Sequence, residues 1–277
     1  MGMKICYQNI VTSPAQLAKD FNLDAPASSV DVSAEKVLGV AKQAARQDTE
    51  IDWCDVKHSA YMINNSYLEL LNNVWVIDGI IEAEKQGYDA VIIGCGNDPA
   101  LREARQAVDI PVIGPTEAAS LLACTLGYRF GVITIMGMTH VCEDNIRKQG
   151  LSWRAVSPVR NYDVGEPLFE NLEEMMVNPS VIIPQFDELC RACIADGAEV
   201  IVPACTRLSP AAALAGYKEV PGTGVPVIEI VQAAVKFAEM LVDLKRTSGL
   251  GKSQSKVFKS TPKEMQDYMR VLTKCVD

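Results

Sequence analysis

Two distant stretches of this chain repeat one another. Gly87-Tyr-Asp-Ala-Val-Ile-Ile-Gly-Cys95 lines up with Gly197-Ala-Glu-Val-Ile-Val-Pro-Ala-Cys205, and the cysteine follows the glycine at the same interval in both. Downstream, Ile110-Pro-Val-Ile-Gly echoes Val225-Pro-Val-Ile-Glu, and the Gly- and Pro-containing stretch 221–224 takes up the small difference in spacing. Strand-like apolar runs at 4–7, 51–56, 90–93, 111–113, 130–135, 152–156, 200–203 and 226–228 alternate with helical patterns at 34–46, 67–86, 100–107, 117–126, 141–149, 185–196, 211–215 and 229–244. That alternation predicts an α/β architecture of parallel sheets covered by helices on both faces. Duplication of such a unit predicts two similar lobes, 1–126 and 127–245, related by a pseudo-two-fold with a cleft between them. A linker and tail helix over 246–277 complete the expected organisation.

Each repeated cysteine closes an apolar strand. Open parallel sheets bind ligands beyond the carboxyl ends of their strands, so both thiols are expected at the cleft. Asn97-Asp98-Pro99 after Cys95, and Thr206 with Ser209-Pro210 after Cys205, read as helix starts. Helix N-termini favour anions, so both thiols are expected to titrate below the usual value of about 8.5. Racemisation takes a proton from one face of a carbon and returns one to the other, which suits two thiols approaching from opposite sides. A single cysteine of this kind is more often a small buried hydrophobe; two at equivalent positions of a repeat favour chemistry.

Composition narrows the partners. The net charge is −9 and neither lobe clusters Lys and Arg, which argues against a nucleic-acid surface. No apolar run approaches the roughly 20 residues of a membrane-spanning helix. The nine cysteines are odd in number, and Met-Gly-Met-Lys-Ile-Cys leads straight into a strand-like segment. Free thiols, no signal peptide and a cytoplasmic location are therefore expected. Neither a cofactor nor a metal is expected. Gly249-Leu-Gly-Lys-Ser253 has Arg246 where a phosphate loop needs its first glycine, and Cys190-Arg-Ala-Cys193 lies in a helical pattern with no second pair nearby.

These residues resemble the aspartate/glutamate/hydantoin racemase superfamily, most of all its hydantoin and allantoin racemase branch. The resemblance rests on Asp89-Ala-Val-Ile-Ile-Gly-Cys95-Gly-Asn-Asp98-Pro99, on Ile110-Pro-Val-Ile-Gly and on Gly197 to Thr206, and spans residues 3 to about 245. It implies two flavodoxin-like lobes with the active site between them and Cys95 and Cys205 as the catalytic thiols. The activity it implies is that of a cofactor-independent racemase or epimerase, acting beside a carbonyl on a 5-substituted hydantoin or an amino-acid-like carboxylate. Two departures bear on substrate: Tyr7-Gln8-Asn9-Ile10 stands where the branch usually has an Asn-Pro-Asn-Thr-like turn, and Thr206-Arg207-Leu208 stands where it tends toward small residues. A cis-trans isomerase with a cysteine nucleophile, a decarboxylase of the same superfamily and a non-catalytic sensor are the alternatives; two retained thiols weigh against the last two.

Further candidates surround the thiols. Asn97 and Thr206, with Gly96 beside them, are expected at the cleft, their backbone N–H groups placed to hold an enolate-like oxygen. Asn9 and Thr134, with Gln8, lie near the ends of the first strands of their lobes as substrate hydrogen-bonders, with polar caps as the plainer reading. Thr116 is expected as a cleft contact and Glu117 as a first-turn charge. Arg207 reads either as a fork for a substrate carboxylate or as half of an exposed ion pair. His140 is read as a capping residue and His58 as a loop residue. The stripe Met265, Tyr268, Met269, Val271 and Leu272 is expected to dock on the same or a neighbouring subunit, in a homo-oligomer acting on a small molecule.

Overall fold

The computed structural model describes residues 2–12, 16, 19, 20, 22, 32–60 and 63–273. Strands β1 (Met3–Gln8), β2 (Thr49–Cys54), β3 (Ala90–Ile93) and β4 (Val112–Ile113) form a parallel sheet in the order β2-β1-β3-β4. A second parallel sheet joins β5 (Phe130–Ile135), β6 (Arg160–Tyr162) and β7 (Val200–Pro203) in the order β6-β5-β7, and a parallel bridge from Ile201 to Val227 extends it. The second order repeats the first, with the 227 segment in the place of β4. Equivalent hydrogen bonds mark the repeat. Gly94 N donates to Gln8 O and Ala204 N to Ile133 O, both at 2.7 Å, while Asp89 N donates to Lys4 O at 2.8 Å and Glu199 N to Arg129 O at 2.9 Å. The repeated glycines, Gly87 and Gly197, take φ values of 85° and 94°, a turn from helix into strand that a side chain would strain. A short antiparallel ribbon, β8 (Glu219–Val220) and β9 (Val225–Pro226), precedes the 227 bridge.

The helices are α1 (Val32–Ala44), α2 (Ser66–Lys85), α3 (Leu101–Ala107), α4 (Pro115–Leu126), α5 (Thr139–Lys148), α6 (Leu168–Val177), α7 (Ile183–Ala195), α8 (Leu208–Leu214), α9 (Ile230–Ser248) and α10 (Lys263–Thr273). The two-residue period of the strands sorts the core between them. Met3, Ile5, Tyr7, Ala90 and Ile92 join the core shared with the second sheet, whereas Cys6, Val91 and Ile93 pack with Val76 and Ile80 of α2 and Ala104 of α3. Helices α4 and α9 pack on each other in the layer between the sheets, α4 touching β7 and α9 touching β3. The last long helix of the second half therefore returns to the first sheet.

One expectation is corrected. Residues 152–156 form a turn with one bridge, Ala155 to Phe130, and the edge strand comes later, as β6. Arg154 explains this, because its guanidinium donates to the carbonyls of Cys124, Gly127 and Tyr128 and ties the segment sideways. In the tail, Thr261 N donates to Gln106 O and the Gln266 amide to Ala107 O, which seats the start of α10 on α3, while Met265 and Tyr268 are exposed on this chain. The side chains of Met269, Val271 and Leu272 lie outside the described residues. Helix α6 has no counterpart in the predicted pattern. The eight cysteines among the described residues are free thiols, and no helix among those residues is long and apolar enough to cross a membrane.

Glu239 fastens α9 to the first sheet. Its buried carboxylate accepts from Arg46 N at 2.8 Å, the Thr49 hydroxyl at 2.8 Å and Lys236 Nζ at 2.9 Å. Burial opposes its charge, yet the Arg46 N–H, the Lys236 ammonium and the Thr49 hydroxyl together hold it below the usual carboxylate range. A depressed folded-state pKa contributes stability at neutral pH that is lost as pH falls. Glu239→Ala is expected to cost about 2 kcal/mol in urea unfolding at neutral pH, and its deficit against the native chain should shrink on acidification. An equal deficit at both pH values would show that the charge plays no part.

Candidate active site

Cys95 and Cys205 each lie two residues beyond their strand, at the carboxyl ends of β3 and β7 beside β1 and β5. In the first sheet this is where strand order reverses, the crevice that open α/β sheets use for ligands. The two cysteine turns touch backbone to backbone. A Cβ built on Gly96 would lie 2.2 Å from Ala204 O and 2.6 Å from Cys205 N, so only glycine allows this approach. Thr206 Oγ1 donates to Gly94 O at 3.1 Å, a direct hydrogen bond between the two repeats.

The Cys95 turn is braced from three sides. Thr116 Oγ1 donates to Gly96 O at 2.6 Å, and Asn145 Nδ2 donates to Asn97 O at 2.6 Å. Asp98 accepts from Thr116 N at 3.1 Å and Glu117 N at 2.7 Å, capping α4. The turn is strained, since Asp98 and Ala100 have φ values of 48° and 53°. Burial lifts the Asp98 carboxyl to about 8 against the pull of those two N–H donors. The expected capping is thus corrected: Asp98 serves α4 rather than α3, whose N-cap Ala100 offers no side-chain bond. Likewise α8 has Arg207 at its N-cap, and the Thr206 hydroxyl is committed to Gly94.

Both sulfurs face backbone N–H groups of the turns that follow them. Asn97 N lies 3.5 Å from Cys95 Sγ; Arg207 N and Leu208 N lie 3.4 and 3.5 Å from Cys205 Sγ. These donors favour thiolates, but burial outweighs them. It pushes both thiols above their ordinary value, overturning the expected depression. The two differ in their neighbours. The charges of Glu69, Cys205 and Asp98 push Cys95 up further, whereas the Leu208 and Arg207 N–H groups and the Arg207 charge draw Cys205 back. Cys205 is therefore the better placed of the two to ionise.

Of the other predicted residues, Gly96, Asn97, Thr116 and Thr206 are brought together here, and the side chains of the two threonines hold the turns. Asn9 spends its side chain on the loop after β1, donating to Val11 O at 2.8 Å and Asp55 Oδ1 at 3.0 Å and accepting from Ile10 N. Thr134 is buried on β5 beside the Cys142 thiol. Arg207 is half-buried, and among the described residues it forms no ion pair. His140 Nε2 lies 3.0 Å from Ser66 Oγ. The sequence singles out neither Asn145 nor, beyond its place in the Tyr7-Gln8-Asn9-Ile10 departure, Tyr7. Tyr7 packs beneath the Cys95 turn, where a Cβ on Gly94 would meet its ring at 2.9 Å, and its buried hydroxyl has no hydrogen-bond partner.

The family model described as Asp/Glu/Hydantoin racemase matches residues 25–238. A hydantoin racemase of Pseudomonas sp. (strain NS671) is 35% identical over 233 residues, 84% of this chain and 87% of that protein. An allantoin racemase structure from Klebsiella pneumoniae is similar at a TM-score of 0.74 and 25% identity, covering 94% of each chain. One from Pseudomonas fluorescens gives a TM-score of 0.72 at 25% identity, covering 94% of this chain and 97% of that one.

Gly96→Ala tests the backbone contact. The added methyl must drive the cysteine turns apart, and a displacement of about 1 Å at reacting groups is expected to lower kcat/KM by about a hundredfold. Near-native activity with an unchanged circular dichroism spectrum would show that the contact is not needed.

Proposed function

This chain belongs to the Asp/Glu/hydantoin racemase family, and we propose that it racemises a 5-substituted hydantoin or an amino-acid-like carboxylate by moving a carbon-bound proton between Cys95 and Cys205, without a cofactor. The chain is an isomerase of the racemase class. The observation that carries the mechanistic reading is the contact between the cysteine turns, each of which presents one thiol at the end of its own sheet. The names of the relatives, hydantoin racemase and allantoin racemase, support the substrate class. Edge-to-face Tyr128 and Trp153, both largely exposed, support a homo-oligomer. Free thiols support a cytoplasmic setting.

In the reaction, one cysteine as thiolate removes the proton from the stereogenic carbon, and the C–H electron pair moves into the adjacent carbonyl as an enolate. The other cysteine, as thiol, returns its proton to the opposite face as the enolate pair reforms the C–H bond. The products are the opposite enantiomer and a site with thiol and thiolate exchanged. Backbone N–H groups around both turns favour the anionic charge as it passes from sulfur to oxygen and back.

Cys95→Ser and Cys205→Ser are each expected to lower racemisation by about a thousandfold, on the scale of lost acid–base catalysis. In deuterated water, followed by proton NMR, each variant should exchange the carbon-bound hydrogen of one enantiomer, and the two variants should choose opposite enantiomers. Exchange of the same enantiomer by both would contradict opposed thiols. Because burial raises both thiols, the base form grows as pH rises, so kcat/KM should climb across the neutral range and beyond about pH 8. A rate already level at neutral pH would contradict the raised thiols.

A further inference from the structure

We propose that the groove beside the Cys95 turn is the subsite for the substrate's side chain, and that it takes an alkyl chain ending in an ammonium or guanidinium group. This rests on the reading of the cleft as a racemase site and adds the class of side chain.

The groove runs between α2 and α5 and has a volume of about 710 Å³. It reaches Asn97, two residues beyond Cys95, whose N–H lies 3.5 Å from Cys95 Sγ. The groove has two kinds of surface. Leu70, Val74 and Ile77 recur at helical spacing along α2 and offer an apolar wall; Leu70 and Val74 are exposed. Beside that wall are three acceptors: Glu69 Oε2, Asn73 Oδ1 and Gln149 Oε1, each buried and each without a hydrogen-bond partner. Glu69 and Asn73 are one turn apart on α2, so they share a face, and Gln149 follows the end of α5 across the groove.

A buried carboxylate oxygen and two buried amide oxygens are satisfied only by N–H or O–H donors. Of the cations that line the groove, Arg102, Arg105, His140 and Lys148, none bonds to these oxygens among the described residues. His140 is bonded to Ser66, and Arg105 is paired with Glu117. Lys148 and His140 draw the Glu69 carboxyl down only through space, and burial keeps it above the ordinary carboxylate range. An apolar wall leading to unpaired acceptors, one of them a carboxylate, is complementary to methylenes that end in several N–H donors with positive charge.

The test compares hydantoins derived from lysine and from norleucine, which share a stem and differ in the terminal ammonium. With the unaltered protein, kcat/KM from chiral chromatography is expected to favour the lysine compound by about tenfold or more, the scale of a charge-assisted hydrogen bond. Glu69→Gln should bring that ratio down about tenfold. Equal rates for the two substrates, or a ratio unmoved by the substitution, overturns the subsite. A calorimetric titration with n-butylammonium separates this inference from the racemase reading. Binding to the unaltered protein that Glu69→Gln weakens about tenfold supports the subsite even if no hydantoin is racemised, whereas absence of binding together with equal rates or no turnover overturns it.

Discussion

The contact of Gly96 with the Ala204–Cys205 peptide is the constraint on which the rest of the site depends. Two parallel sheets place a cysteine at the end of an inner strand, but nothing in a single sheet brings the two sulfurs into one cleft. Glycine at 96 removes the Cβ that would hold the turns apart, and the Thr206 hydroxyl bridges to Gly94. Thr116, Asn145 and Asp98 then act on one side of that contact, fixing the Cys95 turn against α4 and α5. The helix pair α4 and α9 supplies the layer behind it. Loosening any brace leaves both thiols in place in the sequence while removing their relation in space.

The same closeness creates an electrostatic conflict. Burial of the two thiols lifts both, because a thiolate loses more solvation than a thiol. The N–H groups of the turns oppose this without overcoming it. A site of this kind rests with its sulfurs protonated and needs a substrate whose own carbonyl can accept charge, so that the anion is spread into an enolate rather than held on sulfur. That requirement matches a carbon acid beside a carbonyl.

How much of this was legible in the sequence follows the range of each interaction. The repeat placed both cysteines at strand ends, and the strand alternation placed the sheets, since apolar period and turn glycines are local signals. The 152–156 segment misled because its apolar residues have strand character, while the cause of its turn, Arg154 reaching three carbonyls, lies in tertiary contacts. Asp98 looked like a cap for the helix beside it, yet its partners are Thr116 and Glu117, brought near only by the fold. The thiol titration was misjudged for a related reason: a helix start can be read from residue types, whereas the burial that outweighs it cannot. Asn145 carried no signal, being one polar residue among several on α5.

The two lobes repeat in topology but not in charge. Cys205 has two N–H donors and a neighbouring guanidinium, whereas Cys95 has one donor and lies within the field of Glu69 and Asp98. Such asymmetry does not favour one enantiomer at equilibrium, because enantiomers have equal free energy and the two directions must share one value of kcat/KM. It acts instead on the enzyme forms. On the proposed two-thiol transfer, the fraction of enzyme that ionises carries its thiolate at Cys205 rather than at Cys95 and is poised for one enantiomer. On that mechanism a turnover starting from this form leaves the site in the less stable one, and relaxation between the two becomes a step of the cycle. Unequal cradles around equivalent cysteines therefore divide kcat and KM differently in the two directions while leaving their ratio untouched.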